Sequence, residues 1–424
     1  LSSMSIADLL KEVPIPDMIE MTYKIPTFRL EDPIGEMTKQ IYQKDLLKNV
    51  KPGMRIAIAA GSRGITDLPA AIRLIVQMIR GAGGYPFVFP AMGSHGGATA
   101  EGQKSLLNKL GISEFSVGCP VYSSMETVKI GTTADGFPVF MDKFAWESDG
   151  IIVINRVKPH TSFRGEHESG IVKMLVIGMG KQKGAETCHQ FGFPSMSKNI
   201  KEMAKLVIST RKILFGIGLV ENYKHETCVI QAVEPSDFFT ADAQMLHEAW
   251  KHLPKLPFKE IDVLVINEIG KEISGTGFDT NVVGRHGNVS PSVTRIAVLN
   301  LSSKTGGNGN GIGRADFTTK KVFEKFSFEE TYPNALTSTA IESVKIPMVL
   351  ENEEDAIRAA IKTSLIADLT KVKLVQIKNT MDLECMKITK TLFEEASNLP
   401  GFKIIGEGWI PMKFDIDRNL ENLW

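Results

Sequence analysis

Three times in the first 170 residues a short apolar run ends in a polar, glycine-bearing loop. Residues 54–60 (MRIAIAA) lead into Gly61-Ser62-Arg63-Gly64, residues 85–91 (YPFVFPA) into Gly93-Ser94-His95-Gly96-Gly97, and residues 150–157 (GIIVINRV) into the loop 158–170. Apolar runs of this length bounded by turn residues are strands buried on both faces, as in a parallel sheet covered by helices. A helix is predicted after each of the first two loops, over 69–80 with Thr66 and Asp67 as N-caps, and from about Thr99. This β-loop-α repeat carries Arg63, His95 and His160 to strand carboxyl ends, where open α/β sheets bind their ligands.

A chain of 424 residues with 43% apolar composition exceeds what a single core organises, so two domains are expected. The boundary is placed at the proline pair Pro254 and Pro257, giving a cofactor-binding and catalytic domain over 1–257 and a second α/β domain over 258–424 that contributes substrate contacts. The C-terminal tail is expected to return to the first domain. A hairpin is predicted from 215–221 and 227–233, and a helix over 241–252. Strands follow at 263–269, 294–301 and 372–377, with helices at 353–362 and 386–397. The glycine-rich stretches 270–292 and 302–319 are expected to be lids or binding loops. The fold class is α/β, with a cofactor and substrate cleft between the two domains.

Lys plus Arg and Asp plus Glu number 49 each, so no global field attracts nucleic acid or anionic lipid, and a small-molecule partner is expected. Cys119, Cys188, Cys228 and Cys385 are scattered, which fits a reducing compartment and offers no disulfide frame. No apolar stretch is long enough to span a bilayer, and residues 1–30 lack a basic segment followed by an apolar one, so a cytoplasmic location is expected. The 61–64 loop has neither a P-loop lysine nor a G-x-G-x-x-G, which disfavours a nucleoside triphosphatase or a dinucleotide dehydrogenase. A nucleoside monophosphate remains compatible with a glycine loop before a helix.

Of the eight histidines, His95, His160, His167 and His189 fall close together in the chain. Imidazole takes up and releases a proton near neutral pH, which reversible acid-base chemistry requires. Lys173 stands alone in an otherwise apolar run, beside Leu175, Val176 and Ile177. There it either snorkels or pairs, or its desolvated amine serves as a covalent anchor.

Taken in order, Ser94-His95-Gly-Gly, Lys158-Pro159-His160, Ser169-Gly-Ile-Val-Lys173 and His189 sixteen residues later resemble the lactate racemase family, whose members use a nickel-pincer nucleotide. The resemblance implies a racemase or epimerase of a 2-hydroxy acid that works by proton-coupled hydride transfer. It implies that His95 and His160 are the acid-base residues, that Lys173 carries the nucleotide covalently and that His189 ligates the nickel. Ser62 and Arg63 would contact the cofactor, and Arg63 the substrate as well. Proteins that build the cofactor would be partners of this chain.

The chain departs from the family at three places. Ala60 replaces an acidic residue three positions before Arg63, and the longer spacing from His160 to Lys173 leaves His167 as a rival for the second acid-base role. The segment Asp279-Thr-Asn281 is kept, but Val283-Gly284 stands where the family has Tyr-Gln, and the family lysine beyond is missing. Arg285 and His286 stand nearby and are expected to bind substrate, so the substrate is expected to be larger or more anionic than lactate. Two other classes compete: a metal-dependent lyase or dehydratase, and a non-catalytic nucleotide- or nickel-binding protein.

Overall fold

The computed structural model describes residues 5–190, 192–285 and 290–421. In chain order its strands are β1 (Met18–Thr22), β2 (Arg55–Ala60), β3 (Tyr85–Pro90), β4 (Thr127–Thr132), β5 (Pro138–Asp142), β6 (Gly150–Arg156), β7 (Ile213–Glu221) and β8 (Thr227–Val233). They continue with β9 (Glu260–Ile266), β10 (Ser292–Val298), β11 (Phe317–Thr319), β12 (Met348–Leu350), β13 (Leu374–Ile377), β14 (Cys385–Thr389) and β15 (Lys403–Ile410). The chain divides into two compact α/β units, one of Thr27–Leu253 with Thr337–Thr339, the other of Leu1–Pro26, Pro254–Leu336 and Ala340–Trp424.

The unit built on Thr27–Leu253 holds a five-stranded sheet in the order β3-β2-β6-β7-β8. β3, β2, β6 and β7 run parallel, and β8 closes the predicted hairpin antiparallel to β7. Successive side chains along a strand face opposite ways, and the core divides accordingly. Ile56, Ile58, Ile152 and Ile154 pack on one side with Ile72, Ile75 and Ile79 of the helix Leu68–Gly81. Ala57, Ala59, Ile151 and Val153 pack on the other with Met196, Ile200 and Met203 of the helix Phe193–Ser209. Asp67 occupies the N-cap position of Leu68–Gly81 without capping it, because its carboxylate accepts the Thr227 hydroxyl instead. The second helix begins at Ala100, capped by Thr99, whose Oγ1 accepts the Gly102 amide at 3.0 Å.

The other unit is built on an eight-stranded sheet, β12-β11-β10-β9-β13-β14-β1-β15. The first five strands are parallel, while β14, β1 and β15 alternate antiparallel. Residues 1–26, expected in the first domain, fall here because β1 is an interior strand hydrogen-bonded to both β14 and β15. The C-terminal tail also stays with this unit, clasped by Arg418 to Glu354 at 2.9 Å and Asp355 at 2.7 Å, and by the Leu420 amide to Glu353 at 2.9 Å. The helix predicted over 386–397 is instead strand β14 followed by the short helix Phe393–Ser397. Met386 and Ile388 are buried on alternate positions, a period of two that the strand pairing uses. The stretches expected to be lids are partly core: Phe278, Val282, Val283, Ile312 and Ala315 pack in one apolar cluster.

Candidate active site

Because β2 pairs in parallel with both β3 and β6, the loops that follow these three strands leave the same edge of the sheet. The Ser62 hydroxyl there hydrogen-bonds Nδ1 of His95. The His95 loop turns through Gly93, at φ +57°, where an added Cβ would press on Ile177 at 3.3 Å. The Gly93 amide donates to Gly178 O at 3.2 Å, which ties this loop to the segment just after Lys173.

The loop after β6 is closed at its base by the Lys158 amide on Ser169 O at 2.8 Å. Glu168, buried, draws it inward by accepting the His160 amide at 2.7 Å and the Gly165 amide at 3.2 Å. The His160 ring packs on Phe163, centroids 4.4 Å apart, and its Nδ1 accepts the Ser162 amide at 3.1 Å. The neutral ring therefore carries its hydrogen on Nε2. Burial holds His160 well below the usual histidine range, and the nearby charges of Lys173, His189, Lys158 and Arg164 push the same way.

Lys173 closes the short helix Ile171–Lys173 and opens onto a π-helical turn, Met174–Gly178, a distortion frequent at functional sites. Its amine lies 5.7 Å from the Phe163 ring centre. Burial lowers it from the ordinary lysine value to about 8, with Cys188 and Glu168 opposing the shift and Arg63 adding to it. Arg63 itself is lowered to about 10 by burial and by Arg156, so it stays charged at neutral pH.

His189 ends the helix Lys181–His189, and its Nδ1–H donates to Ala185 O at 2.6 Å. That bond leaves the lone pair on Nε2, and burial lowers the ring to about 4, so at neutral pH it is a ready ligand. Electrostatic coupling thus joins Arg63, His160, Lys173 and His189 in one cluster.

His167, the rival, has different partners. It is fully buried, with Nδ1 3.1 Å from Asp242 Oδ2 and its ring 5.3 Å from Phe239. Asp242 Oδ1 accepts the Val172 amide at 3.3 Å, so the pair supports the helix that bears Lys173.

The residues from which a larger substrate was expected stand as follows. Arg285 is ion-paired to Asp316, a partner 31 residues away in sequence. Val283 is fully buried in an apolar cluster. His286 lies outside the described residues.

Sequence reasoning missed Glu168, Asp242, Gln103 and Lys181. Asp242 and Gln103 had a readable signal, since each interrupts the apolar stripe of its helix: Asp242 lies among buried Phe238, Ala241, Met245 and Leu246, and Gln103 shares its buried face with Leu107. Nothing local marks Lys181.

These features define the class first: a two-unit α/β protein with a desolvated lysine and histidines gathered beside the carboxyl edge of a parallel sheet. Residues 19–201 match the family model of the lactate racemase N-terminal domain, a span that contains Ser62, Arg63, His95, His160, Lys173 and His189. Among solved structures, the lactate racemase apoprotein from Thermoanaerobacterium thermosaccharolyticum is similar over 90% of this chain and 90% of its own, at 14% identity and a TM-score of 0.49. A structural-genomics protein from Thermotoga maritima is similar over 76% of this chain and 84% of its own, at 15% identity and a TM-score of 0.49. None of the curated proteins matches the chain. Among the described residues no helix is long and apolar enough to cross a membrane.

Proposed function

We propose that this chain racemises or epimerises a 2-hydroxy acid with a nickel-pincer nucleotide held by Lys173 and His189. The observation that carries the reading is the pairing of a lysine lowered to about 8 with a histidine whose Nδ1 is tied back to Ala185 O. The first is suited to a covalent bond through its amine, the second to a metal through Nε2. Among the described residues no three of His, Cys, Asp and Glu gather as a metal-holding group. A single histidine therefore fits a metal whose other donors arrive with an organic cofactor. When bound, that cofactor supplies hydride acceptance from C2 and hydride return.

The chain's own residues handle the carboxylate and the proton. Arg63, charged at neutral pH, is the group for the C1 carboxylate. His95 takes and returns the hydroxyl proton, with Ser62 holding its Nδ1. His160, neutral with hydrogen on Nε2, is set to donate a hydrogen bond to the oxygen of a bound substrate, and its turn as base requires release of the Ser162 amide. Proteins that build the nucleotide are the expected partners.

The test uses protein made together with cofactor-building enzymes, followed by intact mass and elemental nickel. Lys173→Ala is expected to lose the adduct. His189→Ala is expected to keep it and lose most of the nickel, since removing even a hydrogen-bond partner behind a metal ligand typically costs about 10- to 100-fold in metal affinity. An unchanged adduct in Lys173→Ala would overturn the assignment.

A further inference from the structure

We infer that Lys181 is a positioning residue that sets the His95 loop against the helix carrying His189. Its side chain is fully buried and its backbone sits at φ +56°, a left-handed conformation rare for a lysine. Its ammonium donates hydrogen bonds to Pro90 O at 2.5 Å and Gln103 Oε1 at 2.9 Å, and is ion-paired with Asp142 Oδ2 at 3.1 Å. Pro90 is the last residue of β3, from which the His95 loop departs. Gln103, oriented by that ammonium, turns its own amide on the loop, donating to Gly93 O at 2.9 Å and His95 O at 3.1 Å. One amine thereby holds the loop where it leaves the sheet and again at its catalytic tip.

The same residue opens the helix that ends at His189, and it stands three residues beyond the π-helical turn after Lys173. Asp142 anchors the third side: its amide donates to Met179 O at 2.7 Å and its Oδ1 accepts the Ala145 amide at 3.1 Å. A left-handed lysine and a buried ion pair are both costly arrangements that persist where the surroundings over-determine them, and such strain gathers at functional sites. Here it joins the loop of one acid-base histidine to the elements bearing the anchor lysine and the metal ligand. The inference rests on the acid-base reading of His95 for its catalytic consequence, but not for its structural one.

The test is the double variant Lys181→Met with Asp142→Asn, which leaves no orphan charge and keeps an acceptor for the Ala145 amide. In the cofactor-free chain, amide exchange over residues 92–98 is expected to accelerate at least about tenfold while β2 and β6 keep their protection. The His95 ring resonance, identified by its loss in His95→Ala, is expected to titrate at a shifted pH. In cofactor-loaded enzyme, kcat should fall about 100-fold with KM near wild type, and with adduct mass and nickel retained. Unchanged loop exchange together with an unchanged His95 titration would overturn the inference. If wild-type loaded enzyme racemises nothing while the loop readouts move, the proposed function fails and the positioning role stands. Should the double variant not fold, Gln103→Met cuts the link from Lys181 to Gly93 and His95 while leaving its bond to Pro90 O, and the same two cofactor-free readouts decide.

Discussion

At Lys173 the chemistry turns on one proton. With the folded amine near 8, it is neutral and nucleophilic above that pH, whereas exposed lysines gain reactivity only toward about 10.4. Labelling by a small amine-reactive reagent should therefore reach half its maximal rate at Lys173 near pH 8, read by peptide mass; a profile matching the surface lysines would contradict this. Because the folded value lies below the unfolded one, the residue costs stability below pH 8, and that cost fades as pH rises from 8 toward the unfolded value. The two loop histidines should separate in the same kind of assay. His160→Ala is expected to lose roughly 10²- to 10⁴-fold in racemisation with little change in stability, and His160→Gln, which keeps a donor, to lose less. His167→Ala should instead destabilise the fold by about 1.5–3 kcal/mol in denaturant titration, having removed a buried hydrogen bond to Asp242. A stable but inactive His167→Ala would reverse the assignment.

The π-helical turn after Lys173 is the element on which the site depends, and its packing leaves no slack. A Cβ at Gly178 would lie 2.4 Å from Met174 Sδ and 2.7 Å from Ala91 O, and the second of these is backbone. Gly178→Ala should cost about 1–3 kcal/mol and disturb the Lys173 labelling profile, because the contact can be relieved only by moving the turn or the His95 loop. Gly81→Ala is the control: a Cβ there meets nothing within 4 Å, so the variant should be neutral or slightly stabilising. Equal stability of the two variants would remove the argument. The same scale explains what was legible. β2, β3 and β6 are buried on both faces and read as apolar runs, so their ends, and the loops that carry Arg63, His95 and His160, could be placed from sequence. β14 could not, because Ile388, Leu392 and Ala396, each four residues apart, also satisfy a helical spacing, and only pairing with β13 and β1 decides between helix and strand.

Across the whole molecule the connectivity is discontinuous: the chain starts in one unit, builds the other from Thr27 to Leu253, and returns. β1 lies between β14 and β15, so a chain lacking residues 1–26 leaves β15 without its partner and breaks the eight-stranded sheet. Thermal unfolding of that truncated chain should lose the protection of β9, β10 and β13 in hydrogen exchange while β2, β3 and β6 keep theirs. If both sheets remain equally protected, β1 is dispensable and its interior position carries no stability.

Sequence alone determined the α/β class, the parallel strands and the glycine-bearing loops at their ends, because those features depend on local apolar runs and on the turn residues that bound them. Tertiary structure alone shows how His160 and His167, seven residues apart in one loop, differ in what surrounds them: Lys173 and His189 for the first, Asp242 from a distant helix for the second. It also decided that Arg285 belongs to Asp316, that Val283 fills a core, and that Lys181 is buried against β3 and Gln103. Each of these rests on contacts between residues far apart in the chain, and neither propensity nor periodicity encodes such contacts.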